Sequence, residues 1–90
     1  MLKDIIEARP LEGYRLYLRF EDGAEGIIDF SQYLSFQGVF APLQDLGYFR
    51  LVHVDRDLGT IAWPNGADLD PDVLYSNLTG EPIEIDALHR

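Results

Sequence analysis

The chain is 90 residues long, 47% hydrophobic and 12% aromatic, contains no cysteine and carries a net charge of -9. That length holds one domain with one core, and that apolar content excludes intrinsic disorder. The missing cysteine excludes a disulfide framework, a thiolate metal site and a cysteine nucleophile.

The first strand is expected over Lys3 to Arg9, with Ile5 and Ile6 as its apolar content and Pro10 closing it. Leu11-Glu12-Gly13 reads as a turn. From Tyr14 the chain alternates: Tyr14, Leu16, Leu18 and Phe20 on one face, Arg15, Tyr17 and Arg19 on the other. Period-two alternation marks a strand with one face packed and one wet. Asp22-Gly23 then predicts a hairpin, because both residue types tolerate positive φ. Glu25 to Phe30 is the return strand.

Ser31 is placed to cap a short helical turn through Gln32, Tyr33 and Leu34, which Gly38 ends. Pro42 suits the first turn of a helical segment ending near Gly47. A fourth strand is expected over Phe49 to Asp55 and a fifth over Thr60 to Trp63, with Arg56-Asp57-Leu58-Gly59 turning the chain between them. A helix follows with full punctuation. Asp70 stands at the cap, Pro71 at the first helical position and Asp72 in the first turn, where the helix dipole favours negative charge. Leu69 and Leu74 form a hydrophobic staple. Gly80 and Pro82 stop the helix, and residues 81–90 read as an acidic tail, either an added edge strand or a frayed end.

Charge is unevenly spread. Residues 1–20 hold four basic and three acidic side chains, and the other 70 hold three basic and thirteen acidic. Such a surface repels a phosphate backbone and steers a basic partner inward; the plainer reading is that the acidity serves solubility. The N-terminus lacks the apolar core of a signal peptide, and no apolar run approaches the roughly 18 residues that span a membrane. A soluble, cytoplasmic protein is expected.

Few residues invite a chemical reading. Asp68, Asp70 and Asp72 open like a calcium loop, but its sixth position falls on Val73 and its twelfth on Thr79 rather than on glycine and glutamate. Capping accounts for Asp70 and Asp72, while Asp68 is left for an Asx-turn after Asn65-Gly66. His53 shares a strand face with Asp55, which could orient its imidazole. His89 stands alone near the end. No nucleophile stands beside either histidine, and the glycines are scattered singly, so neither a catalytic set nor a phosphate loop is expected. Arg15, Tyr17 and Arg19 fit an interface anchor, since tyrosine and arginine are enriched at binding hot spots. The competing reading is a solvated strand face supporting cross-strand pairs.

The run from Tyr14-Arg15-Leu16 to Phe20, then Asp22-Gly23, Ile28-Asp29-Phe30, Val39-Phe40, Leu43 and Phe49, resembles the small bacterial domain-of-unknown-function family 2442. The strongest likeness is Trp63-Pro64-Asn65-Gly66-Ala67-Asp68-Leu69 with Pro71, Leu74 and Tyr75. The resemblance covers roughly residues 3–78 and implies a small α+β domain. Many members are encoded beside another small protein, as in a toxin–antitoxin pair, which implies a protein partner. Some carry a C-terminal helix-turn-helix. This chain stops at Arg90 and is expected to lack one, so no direct contact with nucleic acid is expected. The resemblance carries over no catalytic residue.

The expected fold is α+β: an antiparallel sheet of about five strands with short helices on one face, in two layers. Residues 1–80 form the domain and 81–90 the tail. The expected function is a non-enzymatic protein-binding module, the antitoxin-like acidic partner of a pair, without catalytic residues, metal or cofactor. Its partner would be another small, basic protein or a second copy. Candidate partner-binding residues are Arg15, Tyr17, Arg19 and Asp68. The alternatives are a regulatory domain associated with a DNA-binding transcription factor and, last, a small-ligand-binding protein or hydrolase using the Asp68 region.

Overall fold

The structure is a computed structural model describing residues 3–32 and 35–79. Strands β1 (Ile5–Pro10), β2 (Arg15–Phe20) and β3 (Glu25–Asp29) precede a 3-10 helix (Gly38–Gln44) and the one-turn helix α1 (Leu46–Phe49). Strands β4 (His53–Asp55) and β5 (Thr60–Ala62) and helix α2 (Pro71–Thr79) follow. The class is α+β and the five strands are antiparallel, as expected. They divide into two sheets, β1-β2-β3 and β4-β5. The division follows from length, since β4 and β5 have three residues each. Their turn meets β1 through one hydrogen bond, from Ile5 N–H to Gly59 O at 3.0 Å, rather than through a ladder.

The alternation in β2 sorts its side chains as expected. Leu16, Leu18 and Phe20 are fully buried, with Ile5, Ile28 and Phe30 beside them. Leu43, Phe49, Ile61, Trp63 and Leu74 close the core from the helices and from β5. Each fully buried side chain of this size contributes about 1.5–3 kcal/mol. Gly26 sits on the same inner face, where an added Cβ would lie 3.1 Å from Leu78 Cγ. Its missing side chain therefore lets α2 lie close on β3.

The hairpin forms where expected but not with two positive-φ residues. Only Gly23 is left-handed, with φ 95°, and no non-glycine residue has positive φ among the described residues. Phe20 N–H donates to Ala24 O at 2.8 Å, Gly23 N–H to Phe20 O at 3.0 Å and Ala24 N–H to Asp22 Oδ1 at 3.0 Å. This is a three-residue loop with glycine at its left-handed position. Trp63-Pro64-Asn65-Gly66-Ala67 repeats it bond for bond. Trp63 N–H donates to Ala67 O at 2.9 Å, Gly66 N–H to Trp63 O at 2.9 Å and Ala67 N–H to Asn65 Oδ1 at 3.1 Å, with Gly66 φ at 90°. One turn thus occurs twice, written with Asp22 in one copy and Asn65 in the other.

Nothing lies within 4 Å of a Cβ built on Gly23, so a substitution there tests backbone strain alone. Gly23→Val is expected to lower stability by about 1 kcal/mol or more, because a β-branched residue is strained at positive φ. Urea unfolding reads this as an earlier midpoint, and an unchanged midpoint would contradict the turn geometry.

Several boundaries differ from the sequence reading. Phe49 does not open the fourth strand; it ends α1, and the strand begins at His53. Asp45 caps that turn by accepting from Gly47 N–H at 2.8 Å, which places Gly47 inside the helix rather than at an end. Packing decides the matter, since Phe49 is fully buried and meets Tyr14, Phe30 and Trp63 at ring-centroid distances of 5.4–5.9 Å. Gly38, at φ 59°, opens the 3-10 helix instead of ending an earlier one, and Pro42 lies within it. Ser31 does not cap: its Oγ donates to Asp29 Oδ1 at 2.6 Å, and its N–H reaches the same oxygen at 2.9 Å. Tyr33, Leu34, Gly80, Pro82, the 81–90 tail and His89 lie outside the described residues.

Candidate functional site

Arg15, Tyr17 and Arg19 share the outer face of β2, and the register brings neighbours to each. Arg19 lies between Glu7 of β1 and Glu25 of β3, Tyr17 between Arg9 and Ile27, and Arg15 beside Asp29. Arg19 Nε and a terminal nitrogen both reach Glu7 Oε1 at 3.1 Å, and Arg9 Nε reaches Glu7 Oε2 at 3.1 Å. Arg15 pairs with Glu12 at 3.3 Å. The Arg9 guanidinium covers the Tyr17 ring, 4.6 Å from its centroid, a cation–π contact. Tyr17 Oη donates to Glu25 Oε1, and that bond holds the phenol pKa above its ordinary value, with burial and the Glu25 charge adding to it.

The result is a flat, charge-paired face: three arginines against Glu7, Glu25 and Asp29, with one half-buried tyrosine at the centre. Ile27 is its uncovered apolar patch, 59% exposed next to Tyr17. Surface pairs of this kind add little stability one by one, but together they fix the tyrosine's direction. Arg9, Glu25 and Ile27 were missed in the sequence. Their signal is the hairpin itself, since a three-residue loop at 21–23 sets Tyr17 opposite Ile27.

Asp68 does not join this face. Its backbone bridges Ala62 at the end of β5, and its exposed side chain makes no hydrogen bond or ion pair among the described residues. The Asx-turn nearby belongs to Asn65, whose Oδ1 accepts from Ala67 N–H. Asp70 caps α2 as expected, its Oδ1 accepting from Asp72 N–H at 2.9 Å. Among the described residues no three His, Asp or Glu side chains converge as metal ligands would. His53 is exposed opposite Ala62, and Asp55 is spent on its own turn, accepting from the N–H groups of Asp57 and Leu58.

The segment from Trp63 works as a clamp. Trp63 Nε1–H donates to Phe49 O at 2.9 Å, Asn65 Nδ2 to Val39 O at 2.9 Å, and Thr60 Oγ1 to Leu69 O at 2.6 Å. Trp63 and Ala67 are buried. These bonds tie β5 to the 3-10 helix, to α1 and to the approach to α2. The residues that make this stretch distinctive are therefore employed inside the fold, leaving Asp68 and the exposed Pro64 without an internal side-chain task among the described residues.

A second tie runs through the first hairpin. Tyr75 Oη donates to Asp22 Oδ2 at 2.6 Å, the Tyr75 ring meets Phe20 edge-on at 5.0 Å, and Lys3 Nζ lies 3.6 Å from Asp22. The Tyr75 hydroxyl, then the Ala24 amide, hold the Asp22 carboxyl below its ordinary pKa. Ser31 does the same for Asp29. A lowered folded pKa contributes stability that is present above the unfolded value and lost as pH falls through the folded one. Asn65 shows that an amide can make the same turn. Asp22→Asn is thus expected to keep the fold but lose less stability than the wild type on acidification below the usual carboxylate range. Equal acid sensitivity in thermal melts of the two proteins would contradict this.

No helix among the described residues is long and apolar enough to cross a membrane. No match was found among curated proteins or among solved structures. The family model described as Protein of unknown function (DUF2442) matches residues 5–80, a span that includes both copies of the turn, the clamp and the Tyr17 face. The chain belongs to that family.

Proposed function

We propose that this protein is a non-enzymatic protein-binding module, the antitoxin-like acidic member of a cytoplasmic pair, which docks a small basic protein through the face centred on Tyr17. The observation that carries the reading is the Tyr17 site. A tyrosine ring lies under Arg9, is tethered to Glu25 and adjoins the exposed Ile27 on an otherwise charge-paired sheet. A side chain held this way loses little entropy on binding, and aromatic and arginine residues dominate the energetic centres of interfaces. The acidic balance beyond residue 20 favours encounter with a basic protein.

Capture of the tagged full chain's partners from its native cell, identified by mass spectrometry, tests the reading. A small basic protein recovered in stoichiometric amount is expected. Turnover of a small molecule, or tight binding of duplex DNA at low salt, where electrostatic attraction is strongest, would overturn it.

A further inference from the structure

The three-stranded sheet has unlike edges. The β1 edge is met by the β4–β5 turn through Ile5 N–H and Gly59 O. The β3 edge is open among the described residues. Hydrogen-bonded pairs alternate along an antiparallel ladder. Phe20 N–H bonds Ala24 O at one end, and Phe30 N–H bonds Tyr14 O at the other. The phase turns the backbones of Gly26 and Ile28 toward β2 and those of Glu25, Ile27 and Asp29 outward. Gln32 N–H reaches Asp29 O at 3.4 Å; the N–H and C=O of Glu25 and Ile27 meet no backbone partner among the described residues.

Natural proteins blunt such edges, because a row of unpaired amides is a template for another strand. Here charge selects which strand. Glu25, Ile27 and Asp29 are all exposed at alternate positions, so the edge presents acid, apolar and acid on one face. Both acids are held in place, Glu25 by Tyr17 and Asp29 by Ser31. Two copies of this chain pairing antiparallel about Ile27 would set Glu25 against the other copy's Asp29, a like-charge pair that disfavours self-association. A cavity of about 330 Å³ lined by Ile27, Ile28, Asp29, Gln32 and Asn77 lies along the same edge, where β3 adjoins α2. It offers room for a side chain on the opposite face of an added strand.

We infer that the open edge of β3 accepts an extended segment of another protein as a fourth strand, and that this segment carries an apolar residue between two basic ones at alternate positions. Main-chain bonds to Glu25 and Ile27 supply the attachment, the apolar residue covers Ile27, and the basic residues meet Glu25 and Asp29. The inference rests on the reading of the protein as a protein-binding module and assigns that module's partner an extended basic segment.

The test titrates the isotope-labelled full chain with a short synthetic peptide in which lysines flank a central valine at alternate positions. Saturable shifts of the Glu25–Asp29 amides, slowed exchange of the Ile27 amide and weakening by salt are expected. Ile27→Pro removes the central donor at an edge position where proline is tolerated, and should weaken binding at least about tenfold while leaving the circular dichroism intact. Glu25→Gln, which keeps the backbone donor, should weaken binding and reduce its salt dependence, so the test survives a poorly folding proline variant. Equal binding of a glutamate-flanked peptide would overturn the inference. So would an Ile27 amide already protected in dilute protein alone, meaning the chain's own tail, or protection that grows with protein concentration, meaning a second copy. A native partner released by changes at Tyr17 but not by Ile27→Pro would refute the edge and leave the protein-binding reading standing.

Discussion

Replacing Trp63 with alanine is expected to remove about 3–5 kcal/mol of stability, the usual cost of truncating a buried large aromatic. A domain of this kind has only about 5–15 kcal/mol in total, so the loss takes a large share of it. Two costs combine. The indole is buried against Phe49, with ring centroids 5.9 Å apart, and its removal opens a cavity in a small core. Its Nε1–H is also one of the donors that hold Phe49 O where α1 ends. Trp63→Phe separates the terms, since it keeps much of the ring and loses the donor, and should cost about 1–3 kcal/mol. Urea unfolding of both variants measures the difference. If Trp63→Ala unfolds at the wild-type midpoint, the clamp is not what holds the second half of the chain to the first.

The fold was readable wherever the chain used local grammar. The alternation from Tyr14 to Phe20 predicted which side chains of β2 are buried, and Asp70-Pro71-Asp72 marked the start of α2 to the residue. Failures came where tertiary packing overrode local preference. Phe49 looks like a strand residue among Arg50, Leu51 and Val52, but the aromatic cluster of Tyr14, Phe30 and Trp63 holds it at the end of a helical turn. The two sheets meet through a hydrogen bond from Ile5 to Gly59 rather than through a ladder, a junction that no pattern in the sequence announces. The repeated turn was in plain view, as Phe20-Glu21-Asp22-Gly23-Ala24 and Trp63-Pro64-Asn65-Gly66-Ala67, but its two copies differ in three of five residues.

The candidate site was half readable. Arg15, Tyr17 and Arg19 could be taken from alternation alone, whereas Arg9, Glu25 and Ile27 needed the register across strands. Asp68, the fourth candidate, stands apart from that face, bridged to Ala62 at the end of β5.

Changing Tyr17 to alanine and Arg19 to glutamate together should weaken partner binding at least about 100-fold, since a central aromatic alone is often worth 2 kcal/mol or more. The first change removes the ring under Arg9, and the second replaces the Arg19–Glu7 ion pair with a carboxylate set between Glu7 and Glu25, which breaks the paired surround that holds the face in shape. Both positions lie opposite the core-facing Leu16, Leu18 and Phe20 on the same strand. The fold should persist, and circular dichroism checks that it does. The decisive measurement is the affinity of the captured partner for the wild type and for this folded double variant, by calorimetric titration. The account predicts a saturable wild-type complex and no measurable heat with the variant; equal affinity for the two would contradict it.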